Sequence, residues 1–281
     1  MKLLRYGESG REKPGLLDSQ GKIRDLSGVV NDIAGDALSA DGLAKLRGLN
    51  PASLPEVQGT PRLGPPVGHV GKFICVGLNY ADHAAESGMA VPEQPVIFMK
   101  ATTAICGPFD QVIIPRDSEK TDWEVELGVI IGDVARDVPV ETALQHVAGY
   151  AVINDISERF FQLEQGGQWV KGKSCDTFGP IGPWLVTRDE VPEPQNLGMR
   201  LSVNDHQYQN GSTRTMVFGV QTLVSYISRY MTLMPGDVIS TGTPPGVGLG
   251  QKPPVYLKSG DVMTLEIEGL GRQRQQVVSH G

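Results

Sequence analysis

Apolar residues along this chain gather in short, β-branched bursts separated by glycine and proline: Lys72 to Gly77, Val96 to Lys100, Val112 to Ile114, Glu124 to Gly132, Ala148 to Asn154, Ile181 to Val186, Met199 to Val203, Asp237 to Thr241 and Val262 to Ile267. Bursts of that length bounded by turn residues predict strands. Residues 2 to 7 and 14 to 26 predict further strands around the polar turn Asp18-Ser19-Gln20-Gly21. Helical spacing is confined to two main places. Residues 39 to 48 carry Ser39 as a cap, with Leu43 and Leu46 on one face. Thr215 to Leu233 places Val217, Val220, Leu223, Val224 and Ile227 on an apolar stripe. Between Pro51 and Pro66 lie five prolines and no periodicity, which predicts an extended linker. The expectation is a mixed, β-rich α+β fold in two parts: a small N-terminal domain with its linker over residues 1–60, and a main domain over 61–281.

Composition narrows the function classes. With 40% hydrophobic and 20% charged residues the chain can bury a core without staples. Its net charge of -7 lacks the basic surface that a polyanion needs, so nucleic acid is not an expected partner. Cys75, Cys106 and Cys175 form no C-x-x-C pair and no zinc spacing, which suits a reducing cytoplasm. The N-terminus breaks at once into charge and glycine, and no run of about 18 apolar residues follows, so neither export nor a membrane is expected.

The chemistry is carried by acids. In Trp123-Glu124-Val125-Glu126-Leu127-Gly128, strand alternation points Glu124 and Glu126 the same way. Two carboxylates facing a closed site repel each other, and a divalent cation compensates both. Asp155, at the end of the apolar run Tyr150 to Asn154, offers a third. An all-oxygen set of this kind selects Mg2+ or Mn2+ over zinc. Taken alone, an E-x-E pair more often marks a half-exposed edge strand. Asp155, Arg159 and Gln162 are spaced to share one face of a helix beginning at the strand end, where Arg159 presents a fork suited to a carboxylate; an ordinary surface helix has the same spacing. Lys173, in Lys171-Gly172-Lys173-Ser174, is a candidate for stabilising developing negative charge, or simply a solvated lysine. His83 and Glu86, three residues apart, form a candidate general base and its orienting carboxylate, or a surface ion pair.

Together, Gly77-Leu78-Asn79-Tyr80-Ala81-Asp82-His83, Phe98-Met99-Lys100, Glu124-Val125-Glu126-Leu127-Gly128, Gly149-Tyr150, Asn154-Asp155-Ile156-Ser157, Lys173-Ser174 and Thr241-Gly242-Thr243-Pro244 resemble, in order and spacing, the fumarylacetoacetate hydrolase superfamily over residues 70 to 270. The resemblance implies a catalytic β-roll of mixed sheets, a homodimer and a small variable N-terminal domain. It implies that Glu124, Glu126 and Asp155 ligate Mg2+ or Mn2+, that His83 with Glu86 activates water, and that Lys173 stabilises an enolate. Lys100, Arg159, Gln162 and Thr243 match substrate-contacting positions. The glycines of Gly246-Val247-Gly248-Leu249-Gly250 follow a double proline and do not open a helix, so they read as a family turn rather than a nucleotide loop.

The implied reaction is hydrolysis of an acylpyruvate, a small keto acid, to pyruvate and a carboxylic acid. Lys171 to Pro183 and Gln209 to Met216 look most like bacterial enzymes that split 2,4-diketo-3-deoxy sugar acids of the fuconate or rhamnonate type, relatives of which are often labelled ureidoglycolate lyases. Isomerases, decarboxylases and ureidoglycolate lyases on the same scaffold are the alternatives. A metal-holding module without catalysis is a further class, against which stands the retention of base, lysine and all three acids.

Overall fold

The computed structural model describes residues 1–86 and 90–281, with the backbone alone at 83–85. Its strands, in chain order, are β1 (Lys2–Tyr6), β2 (Lys13–Leu17), β3 (Ile23–Asp25), β4 (Phe73–Gly77), β5 (Val96–Lys100), β6 (Ile105–Cys106), β7 (Val112–Ile114), β8 (Thr121–Asp122), β9 (Val125–Ile131), β10 (Val147–Asn154), β11 (Ser157–Glu158), β12 (Gly179–Thr187), β13 (Gly198–Val203), β14 (His206–Ser212), β15 (Val238–Ser240), β16 (Val262–Ile267) and β17 (Gly271–Ser279). The helices are α1 (Ala40–Arg47), α2 (Ala81–Glu86), α3 (Val170–Lys173) and α4 (Val220–Ser228). The fold is therefore mixed, sheet-rich α+β with short helices, as the apolar pattern predicts. Among the described residues no helix is long and apolar enough to cross a membrane.

Nine strands of the large sheet run in the order β3-β2-β1-β12-β10-β9-β15-β4-β5, and β6 pairs with β12 off that path. A second sheet runs β14-β13-β16-β17-β7, and β8 pairs with β11 alone. Both sheets mix directions: β15 lies parallel to β4 but antiparallel to β9, and β17 lies parallel to β7. β1 pairs with β12 through Lys2 and Leu3, a pairing that crosses the boundary expected near residue 60. The proline-rich segment docks back on the N-terminal strands through bridges Arg24 to Glu56 and Tyr6 to Leu63.

Apart from Glu126 and the terminal Asn154, β9 and β10 read as apolar runs because both faces are covered. Leu127, Val129 and Ile131 pack with Met199, Leu201 and Leu265 of the second sheet. On the opposite face, Ile130, Ala151 and Ile153 pack with Leu3, Leu38, Leu43 and Leu46. Leu127 is fully buried at this junction. Leu127→Ala is expected to cost about 2–5 kcal/mol in urea unfolding; a loss below about 1 kcal/mol would show that the two sheets do not share this core.

Two local expectations are corrected. The predicted helix over Thr215 to Leu233 shortens to α4: Val217 lies ahead of it, donating its amide to the Asn79 carbonyl, while Val220, Leu223, Val224 and Ile227 form the buried stripe. Asp155, Arg159 and Gln162 do not ride one helix either. Ser157–Glu158 is a strand on β8, and only Phe160–Glu164 coils, in one wide π-type turn. The carboxylate of Glu158 explains this, because it accepts from the Lys120 and Phe160 amides and the Thr121 hydroxyl and so fixes the segment beside β8.

Candidate active site

Alternation along β9 does what the sequence predicts. Glu124 enters the strand and Glu126 follows on the same face, both buried. The entry is pinned from two sides by buried amides: Asn154 Oδ1 accepts from the Glu124 amide at 3.2 Å and Gln209 Oε1 from the Val125 amide at 2.9 Å. Asn154 is steadied in turn by Gln275, and Gln209 donates to the Thr243 hydroxyl at 2.8 Å. β10 runs antiparallel to β9 and ends at Asn154, which delivers Asp155 beside the pair, fully buried. Ligand oxygens of Glu124, Glu126 and Asp155 all lie within 4.8 Å of one another.

Three cations face these acids. Lys173 Nζ donates to Glu124 at 2.6 Å and Asp155 at 2.8 Å. Lys100 donates to the other Asp155 oxygen and to the Ile156 carbonyl. The Arg159 guanidinium reaches Glu124 at 2.6 Å, Asp122 at 2.8 Å and Gln162 Oε1 at 3.0 Å. Burial alone would lower Lys173, but Asp155 and Glu124 outweigh it and hold the ammonium above its ordinary range. Glu126 differs from the other acids: its described donors are neutral, the Ser240 hydroxyl at 2.5 Å and the Gly242 amide at 2.9 Å. Burial first, and then the charges of Asp155 and Glu124, push its carboxyl well above the usual range.

That electrostatic pattern tests whether a metal fits. Asp122, Glu124, Glu126 and Asp155 are four buried carboxylates against the three cations Lys100, Arg159 and Lys173, and the excess falls on Glu126. Uncompensated buried charge is costly, and a divalent ion among Glu124, Glu126 and Asp155 would remove the opposition to ionising Glu126. The donor set fits Mg2+ or Mn2+.

Glu124, Glu126, Arg159, Gln162, Lys173, Thr243 and Glu86 all line one cavity of about 280 Å³. Lys100 is not on its wall; it is buried and anchors Asp155. Thr243 donates its hydroxyl to the Val125 carbonyl, and the neighbouring Gly242 amide is taken by Glu126. Glu86 accepts from the Gly246 amide at 3.0 and 3.1 Å, tying α2 to the 246–250 turn. The side chain of His83 lies outside the described residues. Burial raises the Cys75 and Cys106 thiols, so neither supplies a thiolate nucleophile.

Sequence reasoning missed Asp122. Its carboxylate, fully buried, accepts from Arg159 Nε at 2.8 Å and from the Trp123, Gly248 and Leu249 amides at 2.8, 2.6 and 3.0 Å. It thus fastens the glycine-rich turn to the arginine that grips Glu124. An Asp beside an apolar residue carries no signal of such a role, and the close approach of the turn is visible only in the fold, where a β-carbon on Gly248 would meet the Val255 carbonyl at 2.0 Å and Asp122 Oδ1 at 2.7 Å. Asp122→Asn puts an amide donor where only acceptors are wanted, and activity or metal affinity is expected to fall about 10- to 100-fold. Unchanged kinetics would show that Arg159 and the turn hold their places without it.

Comparison with known proteins agrees with this geometry. A Burkholderia orbicola (strain MC0-3) protein provisionally named a hydrolase is 66% identical over 277 residues, covering 98% of each chain. Among solved structures, the fumarylacetoacetate hydrolase of Exiguobacterium antarcticum is 39% identical with a TM-score of 0.86 over the whole of both chains. Maleylpyruvate hydrolase from Sphingobium sp. SYK-6, solved with manganese(II) and pyruvate, is 30% identical with a TM-score of 0.81, again over both whole chains. The 2-hydroxyhepta-2,4-diene-1,7-dioate isomerase of Mycobacterium marinum is 32% identical with a TM-score of 0.75, covering 100% of this chain and 99% of its own. The family profile described as fumarylacetoacetate (FAA) hydrolase C-terminal matches residues 72–278, which include every acid and cation of the cluster, and the chain belongs to that family.

Proposed function

We propose that this chain is a divalent-metal-dependent hydrolase that cleaves the C3–C4 bond of an acylpyruvate, giving pyruvate and a carboxylic acid. The observation that carries the reading is the juxtaposition of a three-carboxylate cluster with a lysine ammonium held against two of its members, with Glu124, Glu126 and Lys173 lining one cavity. A cation held by Glu124, Glu126 and Asp155 would supply Lewis-acid polarisation of the 2-keto oxygen.

The chain's own groups then divide the work. Arg159 and Gln162, hydrogen-bonded to each other, present a preorganised donor pair to the substrate carboxylate. His83, on α2 with Glu86, is the proposed base that takes a proton from water as it attacks the C4 carbonyl. Collapse of the adduct breaks C3–C4 and leaves the electron pair on C3, as the enolate of pyruvate. Lys173 faces that charge as a fixed ammonium and needs no rearrangement to stabilise it. Protonation at C3 completes pyruvate. In this reading the acyl group is that of a 2,4-diketo-3-deoxy sugar acid, and the enzyme works in the cytoplasm as a homodimer.

The likeness to an isomerase at 32% identity keeps a second reading in view, in which the same cluster shifts a double bond without water attack. Turnover in 18O-labelled water separates the two. Hydrolysis places one labelled oxygen in the released carboxylic acid, and His83→Ala is expected to suppress release by about 10²- to 10⁴-fold with metal affinity retained. A product of unchanged mass with no pyruvate would contradict the hydrolase reading. Full activity in His83→Ala would remove the proposed base.

A further inference from the structure

One peptide group links the acid cluster to the helix beside it. The Gly242 amide donates to Glu126 Oε2 at 2.9 Å, and the carbonyl of that same peptide, on Thr241, accepts from Asn79 Nδ2 at 2.8 Å. A peptide is planar and rigid, so a hold on its carbonyl aims its N–H. Polarisation acts in the same direction, because a donor on the carbonyl makes the N–H a stronger donor.

The Asn79 carboxamide is buried and used at both ends. Nδ2 also donates to the Phe218 carbonyl at 3.1 Å, and Oδ1 accepts from the Phe218 amide at 2.8 Å. These partners fix which end faces Thr241, since only the nitrogen can donate to a carbonyl. The main chain is crowded to match: Gly242 sits at a φ of +94°, and a β-carbon there would come within 2.9 Å of Asn79 Cβ and 3.1 Å of the Val76 carbonyl. Asn79 lies between β4 and α2, two residues before the helix that carries Glu86 and the proposed base His83. Its own carbonyl takes the Val217 amide at 2.7 Å, so main chain and side chain together hold the 217–218 segment.

Resting on the metal-dependent reading, we propose that Asn79 is a positioning residue of the metal centre: through the Thr241–Gly242 peptide it sets the donor that holds Glu126 as a ligand, and it ties that ligand to the start of α2. Losing a hydrogen-bond partner behind a ligating carboxylate costs about 10- to 100-fold in metal affinity, and that is the loss expected for Asn79→Ala and Asn79→Asp. The aspartate keeps an acceptor for the Phe218 amide, but its ionised carboxylate offers the Thr241 carbonyl no donor.

Thr241-Gly242 is the one Thr-Gly step in the sequence, so protein labelled with carbonyl-13C threonine and 15N glycine gives a single NMR peak when bonded 13C–15N pairs are selected. In both metal-free variants the carbonyl shift of that peak is expected to move upfield, as loss of a hydrogen bond requires. Calorimetric titration is expected to show the weaker Mn2+ binding alongside. A peak that stays in place in a folded variant would overturn the proposal, and so would a displaced peak with Mn2+ affinity unchanged. Should neither variant fold, the unsubstituted protein decides: its peak is expected to shift in step with Mg2+ binding, and a peak indifferent to bound Mg2+ would overturn the proposal. Failure of the unsubstituted protein to bind either ion would instead overturn the metal-dependent reading itself.

Discussion

Glu126→Gln is expected to abolish tight Mn2+ binding and turnover together while leaving the metal-free protein as stable as before, or more so. In the proposed reading the two effects separate because Glu126 would serve the metal and not the fold. Its charge is opposed first by burial and then by Asp155 and Glu124, and its described partners are a hydroxyl and an amide rather than a base. Removing that charge relieves repulsion in the apo protein. Lewis-acid stabilisation is worth several kcal/mol, and each ~1.4 kcal/mol is tenfold in rate, so kcat/KM is expected to fall by at least about a thousandfold. Calorimetric titration with Mn2+ and thermal melts of both apo proteins check the two halves. A variant that binds Mn2+ as tightly as the parent would remove Glu126 from the ligand set.

Lys173→Met separates catalysis from metal binding in the opposite sense. The ammonium contacts Glu124 and Asp155, so its loss leaves two buried carboxylates short of a counter-charge. Breaking a buried pair in this way costs about 3–5 kcal/mol, which appears as a lower melting temperature without metal and is recovered by mass action when Mn2+ is added. Turnover is not recovered. A fixed donor at a developing oxyanion is worth about 10²- to 10³-fold in kcat, and that loss is expected to persist at saturating metal and substrate. If saturating Mn2+ restored kcat as well as stability, Lys173 would be a counter-ion only.

Much of this site was legible in the chain because it rests on strand periodicity and strand ends. Glu124 and Glu126 share a face since β9 alternates, and Asp155 arrives beside them since β10 ends there against the partner strand. Arg159 and Gln162 meet as expected, yet by a different route: the spacing suggested a helix, whereas Glu158 pins a strand before a single wide turn. β17 gave no apolar signal, because its inward face carries Gln273 and Gln275, which satisfy the carbonyls of Val152, Gly182 and Pro108 inside the fold. Buried amides of that kind look like surface residues until their partners are known. Lys100 illustrates the same limit. The resemblance put it at a substrate-contacting position, and only the tertiary structure places it against Asp155. Asp122 was invisible for the further reason that its partners, the Gly248 and Leu249 amides, come from far along the chain.

The most direct test of the account is pyruvate release from acetylpyruvate by protein stripped of metal with chelator and then titrated with Mn2+ or Mg2+. The account predicts no release from the stripped protein, and equimolar pyruvate and acetate once about one ion per chain is bound at Glu124, Glu126 and Asp155. Undiminished release from verified metal-free protein, or none from protein with the ion bound, would contradict it.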